Sequence, residues 1–276
     1  MRIRSFLLLG VVIIAAAVGA WFGRGYLRDA YYWFRRPSVP ATSNYAALNQ
    51  LSLAKNSTTT STTTKTVINS VKAAADPLAW TGNFPKSLNL AVPFLSQAPT
   101  GNWDPVHEEA CEEASAIMVN AYYRGRTDKF APEEGDKAIL AMIDFEKKLL
   151  GKFEDTTAAE TARLIREYYG YKNVLVRPLA KADDIRAALA NGHPVIMPAA
   201  GKLLGNPFFS NGGPLYHMLV VKGYLANGLF ITNDPGTKRG ADYVYDPKIL
   251  LAAAHDWNGG DVTTGKPLMI VILPNP

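Results

Sequence analysis

The chain carries one cysteine, Cys111. A single thiol cannot close an internal disulfide, so a packed core, not oxidative stapling, must hold this fold together. Dense runs of one charge are missing too. The formal net charge is +5, a mild excess that lies partly beside an N-terminal apolar segment. No Lys/Arg run interleaved with aromatics occurs in the body of the chain, so nucleic acid is not an expected partner. His-Glu-x-x-His, paired Cys-x-x-Cys and EF-hand patterns are absent, so neither a metal nor another cofactor is expected. Gly260 to Lys266 matches GxxxxGK in letters. A phosphate loop continues with Ser or Thr and a helix, whereas Pro267 and a strand-like run follow here, so the segment reads as loop and nucleotide is not expected. Histidine is scarce: there are four, which confines any imidazole base to His107, His193, His217 or His255.

What is present divides the chain into three parts. Residues 1–36 contain an almost wholly apolar run, Phe6 to Phe22, behind Arg2 and Arg4. About 17 apolar residues is near the lower limit for spanning a bilayer. Val18-Gly19-Ala20 offers a competing reading as the cleavage site of a signal peptide. The apolar run continues past it into Trp21 and Phe22, and Tyr31, Tyr32 and Trp33 follow as interfacial aromatics, so an uncleaved single-pass anchor is expected. Arg24, Arg28, Arg35 and Arg36 lie just after the span and weigh against simple export under the positive-inside rule. Residues 37–86 read as a tether. Pro37 and Pro40 open it, and Asn56 to Thr66 reads NSTTTSTTTKT, with no apolar face to bury. Such a segment reaches tens of ångströms at about 3.3 Å per residue, which suits an extracytoplasmic domain standing off a membrane.

Residues 87–276 form the expected folded domain. Leu88 to Phe94 begins as an alternating strand, and a Gly/Pro/Asn loop, Gln97 to Pro105, follows. Ala114, Ile117, Met118 and Ala121 lay an apolar stripe along a helix from Cys111 to Tyr123. A second helix is expected from Pro132, a favoured first-turn residue, to Gly151. Thr157 with Glu160 makes a capping box, so a third runs to about Tyr169, with Gly170 past its end. A strand at Asn173 to Arg177 and a helix at Ala182 to Ala190 come next. Short apolar, partly β-branched runs then replace the helical period: Pro194 to Met197, Met218 to Tyr224, Leu229 to Asn233 and Leu268 to Leu273. Helices first and mostly adjacent strands after them predict an α+β fold.

Cys111 falls where a helix starts. First-turn N–H groups and the positive end of the helix dipole favour a thiolate there. Glu108, Glu109, Glu112 and Glu113 flank it and act the other way, since nearby anions raise a thiol pKa; on a helix, Glu112 and Glu113 need not face the sulfur. A lone cysteine is also commonly a small buried hydrophobe. A thiol nucleophile needs a base, and His217 begins the strongest strand, HMLVVKGY, where an imidazole is rigidly aimed. The base in turn needs an acceptor on its other nitrogen. Asp234 ends the next strand. A four-residue loop pairing Gly223 with Gly228 puts His217 opposite Asp234. A tight Asn227-Gly228 turn puts Asp234 opposite Val221, and a bulge is then required. Gln97, in the loop before the Cys111 helix, is a candidate donor to a developing oxyanion, beside the Cys111 backbone N–H.

Five segments taken in order, VPFLSQAP (Val92 to Pro99), CEEASAIM (Cys111 to Met118), GHPVIMP (Gly192 to Pro198), HMLVVKGY (His217 to Tyr224) and FITNDPG (Phe230 to Gly236), resemble peptidase C39-like proteins, which have the papain-like cysteine peptidase fold. The resemblance covers about Asn89 to Gly236. It implies Cys111 as nucleophile, His217 as base, Asp234 as its orienting acceptor and Gln97 as oxyanion donor, acting on a peptide or protein substrate. Glu112-Glu113 stand where many relatives have Gly-Pro. The expected activity is that of a membrane-tethered cysteine peptidase or amidase. A catalytically inactive surface binding module and a cell-wall peptide amidase are the alternatives.

Overall fold

The computed structural model describes residues 27, 29–32, 34–48 and 76–275. The chain falls into two compact units, residues 1–38 and 39–276. In the first, residues 27, 29–32 and 34–35 are helical. The Tyr31 and Tyr32 rings meet edge to face at 5.3 Å, and the Arg35 guanidinium lies 4.9 Å over the Tyr31 ring. The expected anchor, Phe6 to Phe22, and the Ser/Thr tract, Asn56 to Thr66, lie outside the described residues. No helix among the described residues is long and apolar enough to cross a membrane.

The second unit runs β1 (Leu88–Asn89), α1 (Pro105–Glu108), α2 (Cys111–Tyr123), α3 (Pro132–Leu150), α4 (Ala158–Tyr169), β2 (Asn173–Pro178), α5 (Ala182–Ala190) and β3 (Val195–Ala200). It continues with β4 (Tyr216–Tyr224), β5 (Phe230–Asn233), β6 (Tyr243–Tyr245), α6 (Pro247–Ala253) and β7 (Leu268–Leu273). The strands form one antiparallel sheet in the order β2-β7-β3-β4-β5-β6, with β1 paired to β4. The helix-then-sheet order read from the sequence is the observed one. Punctuation chemistry explains why the helix ends were legible. Gly151 and Gly170 end α3 and α4 in the left-handed conformation, at φ 79 and 74. Thr157 caps α4 by accepting from the Glu160 N–H, while the Glu160 carboxylate accepts from the Thr157 N–H at 2.8 Å.

Four elements differ from expectation for local reasons. The strand begun at Leu88 stops at Asn89. The Val92 N–H turns back to the Leu90 carbonyl at 2.8 Å, and Pro93 has no N–H to donate, so the ladder ends. The loop before Cys111 holds a helical turn, α1, because the Asp104 carboxylate accepts from the Val106 and His107 N–H groups at 3.1 and 3.0 Å ahead of Pro105. The short β6 and α6 were too brief to carry a period, although Asp246-Pro247 is a cap of the same kind.

α2 is buried all round, beyond the single stripe the sequence suggested. Ala114, Ala116, Met118 and Val119 are fully buried, and so are Glu113 and Ser115. A helix enclosed on every side lies at the centre of its domain. It packs against β4, whose nine residues are all buried.

The chain ahead of β1 is also part of this unit. The Ser43 N–H donates to the Asn89 carbonyl at 2.8 Å and the Ser43 carbonyl accepts from Ala91 at 2.9 Å, a parallel bridge to Leu90. The Asn89 amide donates to the Pro40 carbonyl at 3.0 Å. Tyr45 inserts among Tyr122, Tyr123 and His193, with ring centroids 6.0, 5.0 and 6.2 Å away. Part of the range read as tether thus forms a strap on the domain.

Candidate active site

His217 stands near the start of β4 and Asp234 one residue past β5, and the pairing between these strands decides whether they meet. Val220 pairs with Asn233 and Val221 with Thr232; then the register shifts, so that Gly223 pairs with Ile231 and Lys222 is bulged. The observed hairpin is therefore the bulged solution, neither of the two simple registers. Continued beyond Asn233, the pairing would set Asp234 beside Leu219, on the same face of the sheet as His217 and diagonal to it. Diagonal neighbours lie within reach of long side chains. The His217 Nε2 sits 2.8 Å from the Asp234 Oδ1.

Asp234 is fully buried and well held. Its carboxylate also accepts from the Tyr245 hydroxyl at 2.6 Å, the Asn206 amide at 3.1 Å and the Gly236 N–H at 3.1 Å. Burial alone would push its pKa up. His217, Tyr245 and Asn206 outweigh that and hold it below the usual carboxylate range. With Nε2 engaged, Nδ1 is the imidazole nitrogen left for proton transfer. Phe209 packs its ring against the other side of the imidazole, with centroids 5.4 Å apart. Asn206, Tyr245 and Phe209 escaped the sequence reading, and no local motif marks them.

Cys111 opens α2, as expected, and is buried. The Met218 N–H donates to its sulfur at 3.2 Å, so the thiol lies against the His217–Met218 peptide. No hydrogen bond joins the sulfur to the His217 ring. Instead the thiol donates to the Glu112 Oε2 at 2.9 Å. Burial first, and the Glu112 carboxylate second, push the Cys111 thiol well above its ordinary range. The helix-start argument for a thiolate is thus overridden: because α2 is enclosed on all sides, Glu112 cannot turn to solvent and does reach the sulfur.

Gln97 is brought to the same region but faces the loop backbone. Its amide donates to the His107 and Glu108 carbonyls, each at 2.8 Å, and its Oε1 is buried without a partner. To serve an oxyanion, it would exchange one of these carbonyls for the substrate oxygen. The other histidines are committed elsewhere. His107 bridges the Asp104 and Asp136 carboxylates at 2.8 and 2.9 Å. His193 lies 3.0 Å from the Tyr123 hydroxyl and is pushed down to about 4 by burial. His255 donates through Nδ1 to the Gly265 carbonyl at 2.9 Å.

A groove of about 420 Å³ opens beside His217, lined by Gln97, Trp103, Phe209, Leu215 and Gly236 among others. The Gly201 to Tyr216 loop supplies one wall. Glu108 and Glu109 line it together with Lys238 and Arg239, so it presents both signs of charge. Among the described residues, no group of three or more His, Cys, Asp or Glu is placed to hold a metal ion.

A buried thiol at a helix start is thus set against the strand that carries His217, whose ring is held by Asp234 just past the next strand. The family follows from the sequence, because the model of the Peptidase_C39 like family matches residues 89–259, more than half of the chain, and the chain belongs to that family. Two solved structures are similar to it. One, described as a putative C39-like peptidase from Bacillus anthracis, is 14% identical over 68% of this chain and 98% of its own, with a TM-score of 0.44. The other, a fragment of prointerpain A from Prevotella intermedia, is 12% identical over 70% of this chain and 74% of its own, with a TM-score of 0.44. No curated protein matches the sequence.

Proposed function

We propose that this chain is a cysteine peptidase of peptide or protein substrates, acting through Cys111, His217 and Asp234. The observation that carries the reading is the buried His217–Asp234 hydrogen bond on the strand whose next N–H donates to the Cys111 sulfur. In the proposed reaction the Cys111 thiolate attacks the scissile carbonyl carbon, and the S–C bond forms as the carbonyl becomes an oxyanion. The Cys111 backbone N–H, with Gln97 once released from the loop carbonyls, would receive that charge. His217 takes the Cys111 thiol proton as the sulfur attacks and gives it to the leaving amine as the C–N bond breaks. It then takes one from the water that hydrolyses the thioester, and the thiol is regenerated. Asp234 holds the imidazole through Nε2 and leaves Nδ1 for proton transfer. An N-terminal anchor through Phe6 to Phe22, with the domain outside the cytoplasm, belongs to the same proposal.

A second reading, a binding module that keeps the fold without turnover, is favoured by the thiol being bonded to Glu112 and held protonated. Digestion of a mixed peptide library by the full chain separates the two. Cleavage that disappears in both Cys111→Ala and His217→Ala supports the peptidase. Peptide binding without cleavage, unchanged by either substitution, supports the module.

A further inference from the structure

We propose that the groove beside His217 selects peptides that carry a lysine or arginine, whose cationic end seats on the wall built by Gln97, Trp103, Glu108 and Glu109. The inference deepens the peptidase reading and rests on it for where a substrate lies. One continuous stretch of chain, from the loop before α1 to the residue after it, supplies this wall. Everything it offers is electron-rich. Glu108 and Glu109 bring carboxylates. Trp103 is 38% exposed, and the face of an indole ring carries the negative part of its quadrupole, which attracts cations. Gln97 is only 3% exposed. Its nitrogen is spent on the His107 and Glu108 carbonyls, and its Oε1 meets no donor among the described residues. A buried acceptor without a donor costs free energy, and an ammonium or guanidinium brings several donors and no acceptor.

Glu109 separates this wall from an ordinary solvated face. It is half-buried, and its carboxylate has no hydrogen-bond or ion-pair partner among the described residues. Burial, then the like charges of Asp155, Glu154 and Glu108, pushes it above the usual carboxylate range. Lys152, in the same turn as Glu154 and Asp155, is already paired to Glu160 at 3.2 Å. The site therefore lacks a positive charge that a ligand can supply. The opposite wall is basic but has no matching need. Lys238 and Arg239 are both exposed, so water compensates them, and the Arg239 guanidinium lies 5.2 Å over the Phe208 ring. The sign of the unmet charge, rather than the net charge of the groove, decides which side chain it prefers.

The test reads binding, so it does not depend on turnover. Three pools of peptides, acetylated at the N-terminus and amidated at the C-terminus, differ only in one residue fixed as lysine, norleucine or glutamate. The blocked ends leave the side chain as the only variable charge. Each pool is titrated into the full chain carrying Cys111→Ala, and into the same chain with Glu108→Gln and Glu109→Gln added. The lysine pool is expected to bind about tenfold tighter than the norleucine pool, the effect of two partly exposed charge contacts. The two glutamine substitutions are expected to bring the lysine pool to within about twofold of the norleucine pool, whose own affinity stays unchanged. Equal binding of lysine and norleucine, no binding of the lysine pool, or a preference that survives both substitutions overturns the proposal. Tightest binding of the glutamate pool also overturns it, and assigns the groove to Lys238 and Arg239.

Where the glutamine variant does not fold, the same preference is followed against salt in the chain that keeps both glutamates. Charge contacts at a partly exposed wall are screened, so the advantage of lysine over norleucine is expected to shrink several-fold between about 0.05 and about 0.5 M ionic strength. An advantage that salt does not change overturns the proposal. Cleavage assays on the wild-type full chain keep the two readings apart. A lysine preference in binding with no pool cleaved keeps this inference and removes the peptidase reading. Cleavage of all three pools at equal rates with no preference in binding keeps the peptidase and overturns this inference.

Discussion

His217 and Asp234 meet 2.8 Å apart although their strands do not pair them directly, because a bulge at Lys222 resets the hairpin and leaves the two as diagonal neighbours. The carboxylate is fully buried and accepts from three further donors, so its charge is compensated only while those partners remain.

The first prediction concerns that charge. A carboxylate whose folded pKa is depressed adds stability above its unfolded value, near 3.9, and that stability is lost as pH falls through the folded value. Acid titration of the wild-type chain is expected to show such a loss below about pH 4, and Asp234→Asn to flatten it. Asp234→Ala leaves donors facing an apolar gap and is expected to cost about 3–5 kcal/mol in urea unfolding at pH 7. A cost below about 1 kcal/mol would mean the pair is not buried as described.

The Glu113–Glu146 pair predicts the opposite sign. Burial pushes Glu146 up to about 7 and Glu113 well above its ordinary range. Between the unfolded value, near 4.3, and these raised values, the native state holds more protons than the unfolded state, so stability falls as pH rises. Urea midpoints are expected to drop from pH 5 to pH 8, by about 2 kcal/mol or more of unfolding free energy. Glu146→Gln supplies a permanent N–H donor to Glu113 and should shrink that drop. An equal drop in the variant would place the pH dependence elsewhere.

Much of this arrangement was legible because local chemistry dictated it. Thr157, Glu160, Gly151 and Gly170 mark helix ends by capping and by left-handed backbone, which depend on near neighbours alone. Cys111 at a helix start and His217 on the central strand were legible for the same reason. The direction of Glu112 was not. It follows from burial of α2 on all sides, a tertiary property that a 3.6-residue period does not encode. Nor was the bulge at Lys222, since both simple turns between Gly223 and Leu229 satisfied the sequence equally. The Gln97 side chain reached the site region, but which carbonyls it meets depends on the α1 turn.

The strap predicts that the domain extends further toward the N-terminus than β1. Tyr45 contacts Tyr122, Tyr123 and His193 edge-on or tilted, and aromatic pairs of this kind contribute about 0.5–1.5 kcal/mol each beyond their buried area. Tyr45→Ala is expected to lose about 2 kcal/mol and to lower the thermal midpoint of the full chain by a few degrees. A midpoint that does not move would show that the strap adds nothing to the fold.

Gly236 supplies the last prediction, because it separates a positioned imidazole from a merely buried one. A methyl group at this residue would lie 2.9 Å from the His217 Cε1, 2.9 Å from the Phe209 Cε1 and 3.2 Å from the His217 Nε2. Carbon atoms do not approach so closely, so Gly236→Ala must displace the imidazole or the phenyl ring that packs against it. Overpacking of this kind costs about 1–3 kcal/mol, which leaves a folded chain. Displacing a catalytic group by about 1 Å costs on the order of a hundredfold in rate. The expected outcome is therefore a large fall in kcat/KM for peptide hydrolysis with a small fall in thermal midpoint. Phe209→Ala in the same chain should restore part of the rate, since it removes one of the two rings the methyl group meets. Full activity in Gly236→Ala alone would mean that the His217 ring is not the base, whatever its distance from Asp234.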